Sequence, residues 1–162
     1  MFFLGIKLEI EGNLDESCDL ILINHQSMLD IIVMEHLHNR NIAWVAKKEI
    51  TDLFFFGHII KAPRMISIDR ENKAGLIHLL SEVKDRLSKG RPIAMFPEGT
   101  RSDGTYIGEF KAGAKMVGNK FNLKVQPVVM FNTRNIVNSQ KMEASPGVVK
   151  VIYLKPVVAS KD

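Results

Sequence analysis

Pro92-Ile93-Ala94-Met95-Phe96-Pro97-Glu98-Gly99-Thr100-Arg101-Ser102 is the stretch around which the rest of the chain makes sense. Its first half is an apolar run of the length expected for a buried strand. Pro97 has no N–H to give to a ladder, so the strand should stop there. Gly99 then permits a sharp turn, or close approach of backbone to a ligand. Glu98 and Arg101 fall on the turn past the strand's carboxyl end, where open α/β sheets bind ligands. Arg101 carries a planar fork suited to phosphate. The alternative is an ordinary surface turn closed by a Glu98–Arg101 ion pair.

Working outward, Leu76, Leu79, Leu80, Val83 and Leu87 recur at three-to-four spacing and predict an amphipathic helix over 73–89, stopped by Gly90. A second helix is expected over 112–121, weakened by Gly113 and Gly118. Towards the N-terminus, Ile6, Leu8 and Ile10 alternate with Lys7, Glu9 and Glu11, the pattern of a half-exposed strand. Leu20-Ile21-Leu22-Ile23 reads as a buried strand, and Ser27 as the cap of a helix reaching Leu37. Further strands are expected over 42–46, 65–68, 125–131 and 148–154, with Pro127 suggesting an irregular or edge position. Residues 51–60, with Phe54-Phe55-Phe56, predict a short aromatic helix placed either in the core or against an acyl chain or membrane. Strands alternating with helices point to one α/β domain spanning 1–162.

Composition narrows the class. A hydrophobic content of 46% beside 25% charged residues suits a globular core. The single cysteine, Cys18, excludes an internal disulfide framework and suggests a buried thiol in a reducing compartment. The five histidines show no ligand spacing, so no metal is expected. No apolar run approaches the ~18 residues of a membrane span. Met1-Phe2-Phe3-Leu4 is too short for a signal-peptide core, but suits the tail of a longer hydrophobic segment. Charge is uneven: residues 1–39 hold one lysine against seven acids, and 40–134 hold seventeen Lys/Arg against nine. The basic middle suggests an anionic partner or simply a mixed solvated surface, and no aromatic-and-basic motif supports nucleic acid.

Two constellations carry chemistry. His25 lies just past a buried strand and Asp30 in the first turn of the next helix. The bend between them lets the carboxylate fold back on the imidazole and hold its tautomer, leaving the other nitrogen as a general base. Otherwise, Asp30 is a first-turn acid favourable to the helix dipole and His25 a loop residue. Ser27 lacks a nucleophile elbow and Cys18 sits among acids, so covalent catalysis is disfavoured. Lys47, Arg70 and Arg101 each come at or just after a predicted strand end, where three cations can converge on one dianion. Otherwise Arg70 pairs with Asp69 or Glu71 and Lys47 faces water.

Together, Asn24-His25-Gln26-Ser27-Met28-Leu29-Asp30, Ile68-Asp69-Arg70, the 96–102 segment, Phe110-Lys111-Ala112-Gly113 and Val125-Gln126-Pro127-Val128-Val129 resemble the lysophosphatidic acid acyltransferases of the glycerolipid acyltransferase superfamily. The resemblance covers about residues 6 to 132. It implies a mixed, mostly parallel sheet flanked by helices. It also implies that His25, oriented by Asp30, deprotonates the free hydroxyl of a lysophospholipid acceptor for direct attack on an acyl thioester. Arg70, Glu98, Gly99, Thr100 and Arg101 would form the glycerol-phosphate site, with Lys47 helping. The donor would be acyl-coenzyme A or acyl carrier protein, with no cofactor and no metal. The place of action would be the cytoplasmic side of a membrane, reached peripherally or through segments not present in these 162 residues. Turn amides beside Glu98 or His25 are the expected holders of the developing oxyanion.

Overall fold

The computed structural model describes residues 5–47, 65–68 and 73–159. In chain order they form β1 (Ile6–Glu11), β2 (Leu20–Ile23), α1 (Leu29–Leu37), β3 (Ala43–Lys47), β4 (Ile66–Ile68), α2 (Lys73–Ser88), β5 (Ile93–Met95) and α3 (Ala112–Phe121). There follow β6 (Lys124–Phe131), the single turn α4 (Thr133–Ile136), β7 (Val137–Asn138), β8 (Glu143–Ala144), β9 (Gly147–Tyr153) and β10 (Val157–Val158).

One sheet runs β1-β9-β6-β2-β5-β3-β4, with β10 continuing along β6 beyond β9. β6, β2, β5, β3 and β4 are mutually parallel, as are β1 and β9; β9 and β10 pair antiparallel with β6, so β1 also runs against the central strands. Alternation along the central strands sends side chains to two faces. Ile21, Ile23, Ala94, Val128 and Met130 meet Leu29, Val33 and Met34 of α1 on one face. Leu20, Ile93, Met95, Val45 and Val125 meet Leu79 and Val83 of α2 and Ala114 and Val117 of α3 on the other. Each Val, Leu, Ile or Met among them, fully buried, contributes about 1.5–3 kcal/mol. The parallel order brings the carboxyl ends of β2, β5 and β6, and of β3 and β4, to one rim.

β1 is the half-exposed strand expected, at one end of the sheet order: Ile6 is buried and Ile10 half exposed. Of the two positions expected for Pro127, irregular or edge, it takes the irregular one, between the β6 residues that pair with β10 and those that pair with β9. β6 is central, with Leu22 opposite Pro127 on the β2 side. Its carbonyl accepts the Leu154 N–H. The N–H that proline lacks is replaced by the neighbouring side chain: Gln126 Nε2 donates to the Leu154 carbonyl at 2.5 Å, and Gln126 Oε1 accepts the Asp15 N–H. A fully buried glutamine thus lets proline sit inside a sheet. The expected helix over 51–60 lies outside the described residues, and no described helix is long and apolar enough to cross a membrane.

Candidate active site

β2 ends at Ile23, and the chain turns through Asn24, His25 and Gln26 into α1. Asn24 keeps the turn in register with β6 by donating to the Met130 carbonyl and accepting the Met130 N–H, as a strand residue would. His25 follows, its Nδ1 2.9 Å from Asp30 Oδ2. The same carboxylate oxygen accepts the N–H groups of Gln26 and Ser27 at 2.7 and 2.9 Å. Thr133 Oγ1 donates to the other oxygen at 2.5 Å. Asp30 is completely buried, and its partners among the described residues are N–H and O–H groups, which suits a carboxylate's acceptor oxygens. In the tautomer that donates Nδ1–H to this carboxylate, His25 Nε2 is the nitrogen left to accept.

Helix α1 starts at Leu29 with Met28 in the cap position, one residue later than expected. Ser27 Oγ still accepts the Leu29 N–H at 3.2 Å while donating to the Val137 carbonyl at 2.6 Å. The Asp30 carboxylate reaches back to the Ser27 N–H, so Ser27 and Asp30 exchange bonds in the manner of a capping box, with the imidazole sharing the same oxygen.

The turn after β5 closes on this loop from the side. The Phe96 ring stacks on the His25 imidazole with centroids 3.7 Å apart and planes 13° apart. Trp44 lies behind Phe96 at 5.3 Å, and its Nε1–H donates to Glu35. Gly99 adopts φ +74°, a conformation that favours glycine, immediately after Glu98. Glu98, expected on the acceptor side, points inward and is only 3% exposed. Its Oε1 accepts the His25 N–H at 2.7 Å and its Oε2 the Gly108 N–H at 2.6 Å. A Cβ at position 108 would stand 3.0 Å from that Oε2, so glycine leaves room for the contact. The Ser102 N–H donates to the His25 carbonyl at 2.8 Å. The backbone of His25 is thereby held on both its polar groups by the 96–102 turn.

The matching family model is that of the acyltransferases, and it spans residues 6–131. The chain belongs to the acyltransferase family. It is 44% identical over 155 residues to a 1-acyl-sn-glycerol-3-phosphate acyltransferase of Helicobacter pylori, covering 93% of this chain and 64% of that protein. It is 32% identical to the protein of the same name from Salmonella typhimurium, covering 97% of this chain and 65% of that one. The crystal structure of the 1-acyl-sn-glycerophosphate (LPA) acyltransferase PlsC from Thermotoga maritima superposes with a TM-score of 0.77 at 25% identity. That match covers 96% of this chain and 63% of the crystallised one. The chain thus spans a little under two thirds of the length of these relatives.

Within this acyltransferase fold the remaining expected residues divide. Thr100 and Arg101 are exposed on the turn beyond β5, and Arg101 donates to Ser139 Oγ at 2.9 Å. Glu98 and Arg101 therefore take different partners rather than closing the turn as a pair. Lys47 ends β3, opposite Ile68 of β4, on the same rim; Arg70 lies outside the described residues. Of the turn amides considered for the oxyanion, those of His25, Gln26 and Ser27 serve carboxylates, that of Gly99 the Phe96 carbonyl, and that of Ser102 the His25 carbonyl.

Sequence reasoning missed Thr133, Arg134 and the aromatic stack. Arg134 Nη1 donates to the Ser102 carbonyl at 3.1 Å and Nη2 to Gln140 Oε1 at 2.9 Å. The one available signal was topological: polar residues just past the end of a strand beside β2 arrive at the same rim.

Proposed function

We propose that this chain moves a fatty acyl group from a thioester donor, acyl-coenzyme A or acyl carrier protein, to the free hydroxyl of 1-acylglycerol-3-phosphate, giving phosphatidic acid. The observation that carries this reading is the His25 Nδ1–Asp30 Oδ2 bond, clamped by the same turn that presents Arg101. His25 Nε2 takes the hydroxyl proton as the oxygen attacks the thioester carbonyl. The tetrahedral intermediate collapses with cleavage of the C–S bond, and Nε2–H returns the proton to the leaving thiolate. No acyl-enzyme forms, because the acceptor itself is the nucleophile. An alcohol attacks poorly without help, and a positioned base contributes about two to four orders of magnitude.

Gly99, Thr100 and Arg101 face the acceptor phosphate, with Lys47 and Arg70 as further cations for it. Glu98 serves the site indirectly, by fixing the main chain of His25 and Gly108. The protein works at the cytoplasmic surface of a membrane, where both the lysophospholipid and the product reside. The acceptor headgroup is the open variable. A relative 31% identical to this chain is named a lyso-ornithine lipid O-acyltransferase, and its acceptor name contains no phosphate.

Thiol release from acyl-coenzyme A, with and without lysophosphatidate, tests the reading. Release should depend on the acceptor and fall by about a thousandfold in His25→Ala. Release at the wild-type rate in that variant excludes His25 as the base. Acceptor dependence satisfied by lyso-ornithine lipid and not by lysophosphatidate replaces the acceptor and keeps the chemistry.

A further inference from the structure

We infer that Thr133 is a positioning residue for the His25–Asp30 pair, acting through the carboxylate that it holds; this rests on the acyl-transfer reading above. The family match ends at residue 131, two positions short of it. Thr133 and Asp30 are both completely buried. Asp30 Oδ2 is surrounded by three N–H donors, the His25 ring among them, whereas the hydroxyl of Thr133 supplies Oδ1. A carboxylate is planar, so fixing Oδ1 fixes the plane in which the lone pairs of Oδ2 meet Nδ1. Without the hydroxyl, Oδ1 becomes a buried acceptor short of its donor, a costly state. Held at Oδ2 alone, the carboxylate is freer to turn about Cβ–Cγ, which takes the Oδ2 lone pair out of line with the imidazole.

The fold explains why a residue so distant in sequence does this work. β6 lies parallel beside β2, so the two strands deliver Thr133 and His25 to one rim. Asn132 turns the chain with φ +70° and begins α4, whose first residue is Thr133. The next few residues brace both loops of the site. Val137 accepts from Ser27 Oγ, Arg134 donates to the Ser102 carbonyl, and Ser139 holds Arg101. Thr133 is the member of this brace that reaches the reacting pair through a single side chain.

The test uses the full chain with Thr133→Val, which keeps the shape and removes the hydroxyl, and Thr133→Ser, which keeps the hydroxyl. With acyl-coenzyme A and lysophosphatidate, Thr133→Val should lower kcat about 10- to 100-fold with both KM values within about twofold of wild type. Thr133→Ser should keep kcat within about threefold, even where loss of the methyl lowers its melting temperature. A wild-type kcat in Thr133→Val overturns the inference, as does an equal loss in Thr133→Ser, which would make the role one of packing. If Thr133→Val does not fold, Thr133→Ala takes its place under the same criteria.

A second readout needs no turnover. The proton between His25 Nδ1 and Asp30 should give a downfield ¹H resonance, identified by its loss in His25→Ala. It should persist in Thr133→Ser and vanish or move upfield in Thr133→Val; an unchanged resonance in Thr133→Val also overturns the inference. The two readings fail separately. An active His25→Ala sinks acyl transfer by this base, whereas an inactive His25→Ala beside an unaffected Thr133→Val sinks only the role of Thr133.

Discussion

The two rims of the sheet solve the same problem with opposite charges. At the carboxyl rim, acids collect backbone N–H groups: Asp30 takes those of Gln26 and Ser27, and Glu98 those of His25 and Gly108. At the amino rim, arginines collect backbone carbonyls. Arg40 donates to those of Glu16 and Gly90, with that of Cys18 at 3.4 Å, and Arg91 to those of Asn41 and Ile42. The difference lies in solvent. Asp30 and Glu98 are buried, whereas the Arg40 side chain is 28% exposed and shares its charge with a half-exposed Asp19. Water can replace a partner at the amino rim; at the carboxyl rim a lost partner leaves a buried group unpaired. The first rim holds strands together, and the second also holds a reactive geometry.

That contrast is sharpest at Glu98. Glu98→Gln keeps the size of the side chain but sets an amide NH₂ against one of two N–H donors. The mismatch should cost about 1–3 kcal/mol of stability. It should also lower turnover by roughly a hundredfold, because displacing the His25 backbone misplaces the imidazole. Thermal melting beside a thiol-release assay checks both, and wild-type values in both would remove Glu98 from the clamp. Arg40→Ala is the counterpart. It forfeits charge-assisted bonds worth about 2 kcal/mol in sum after solvent has compensated in part. In a domain of this size the melting temperature should fall by about 4–8 °C. Turnover measured well below the transition should stay near wild type. A loss of turnover at that temperature would break the division between the rims.

How much of this could be read from the residues follows the range of each interaction. Helix α3 begins and ends where expected, and β2 and β5 lie where their apolar runs put them, because periodicity is local. The His25–Asp30 contact spans five residues across one bend, so the spacing carries it. The inward partner of Glu98 was not legible because it is a main-chain amide 73 positions away, and backbone amides leave no mark in a sequence. Thr133 meets Asp30 across 103 positions, and only the placement of β6 beside β2 explains the meeting. Ser27 shows both ranges at once: its hydroxyl accepts the Leu29 N–H, as its place before the helix suggests, and donates to a carbonyl 110 positions away that nothing in the sequence announces. Pro127 suggested an irregular or edge position, and its place inside the sheet rests on a substitute donor, a side chain that no pairing rule anticipates.

The smallest expected effect tests whether the amino rim is as indifferent to burial as its arginines suggest. His38 caps the end of α1 and is buried, and its Nδ1 accepts the N–H of Arg40 at 3.0 Å. Burial lowers its pKa from the ordinary value near 6.5, and the Arg40 guanidinium acts in the same direction, while Glu16 and Glu35 oppose it. Protonation would also take away the lone pair that receives Arg40. A histidine depressed in the folded state favours folding while neutral. Its contribution is therefore fully present above the unfolded value of about 6.5, and is lost as pH falls from there through the folded value. His38→Gln retains an acceptor for the Arg40 amide but cannot titrate. The difference in melting temperature between wild type and His38→Gln should hold constant from pH 8 to about 7, then shift against the wild type as pH falls through about 6. Taking the difference cancels carboxylates common to both proteins. A constant gap down to pH 5 would mean that solvent reaches His38 as readily as it reaches Arg40, and that the buried chemistry of this fold is confined to the carboxyl rim.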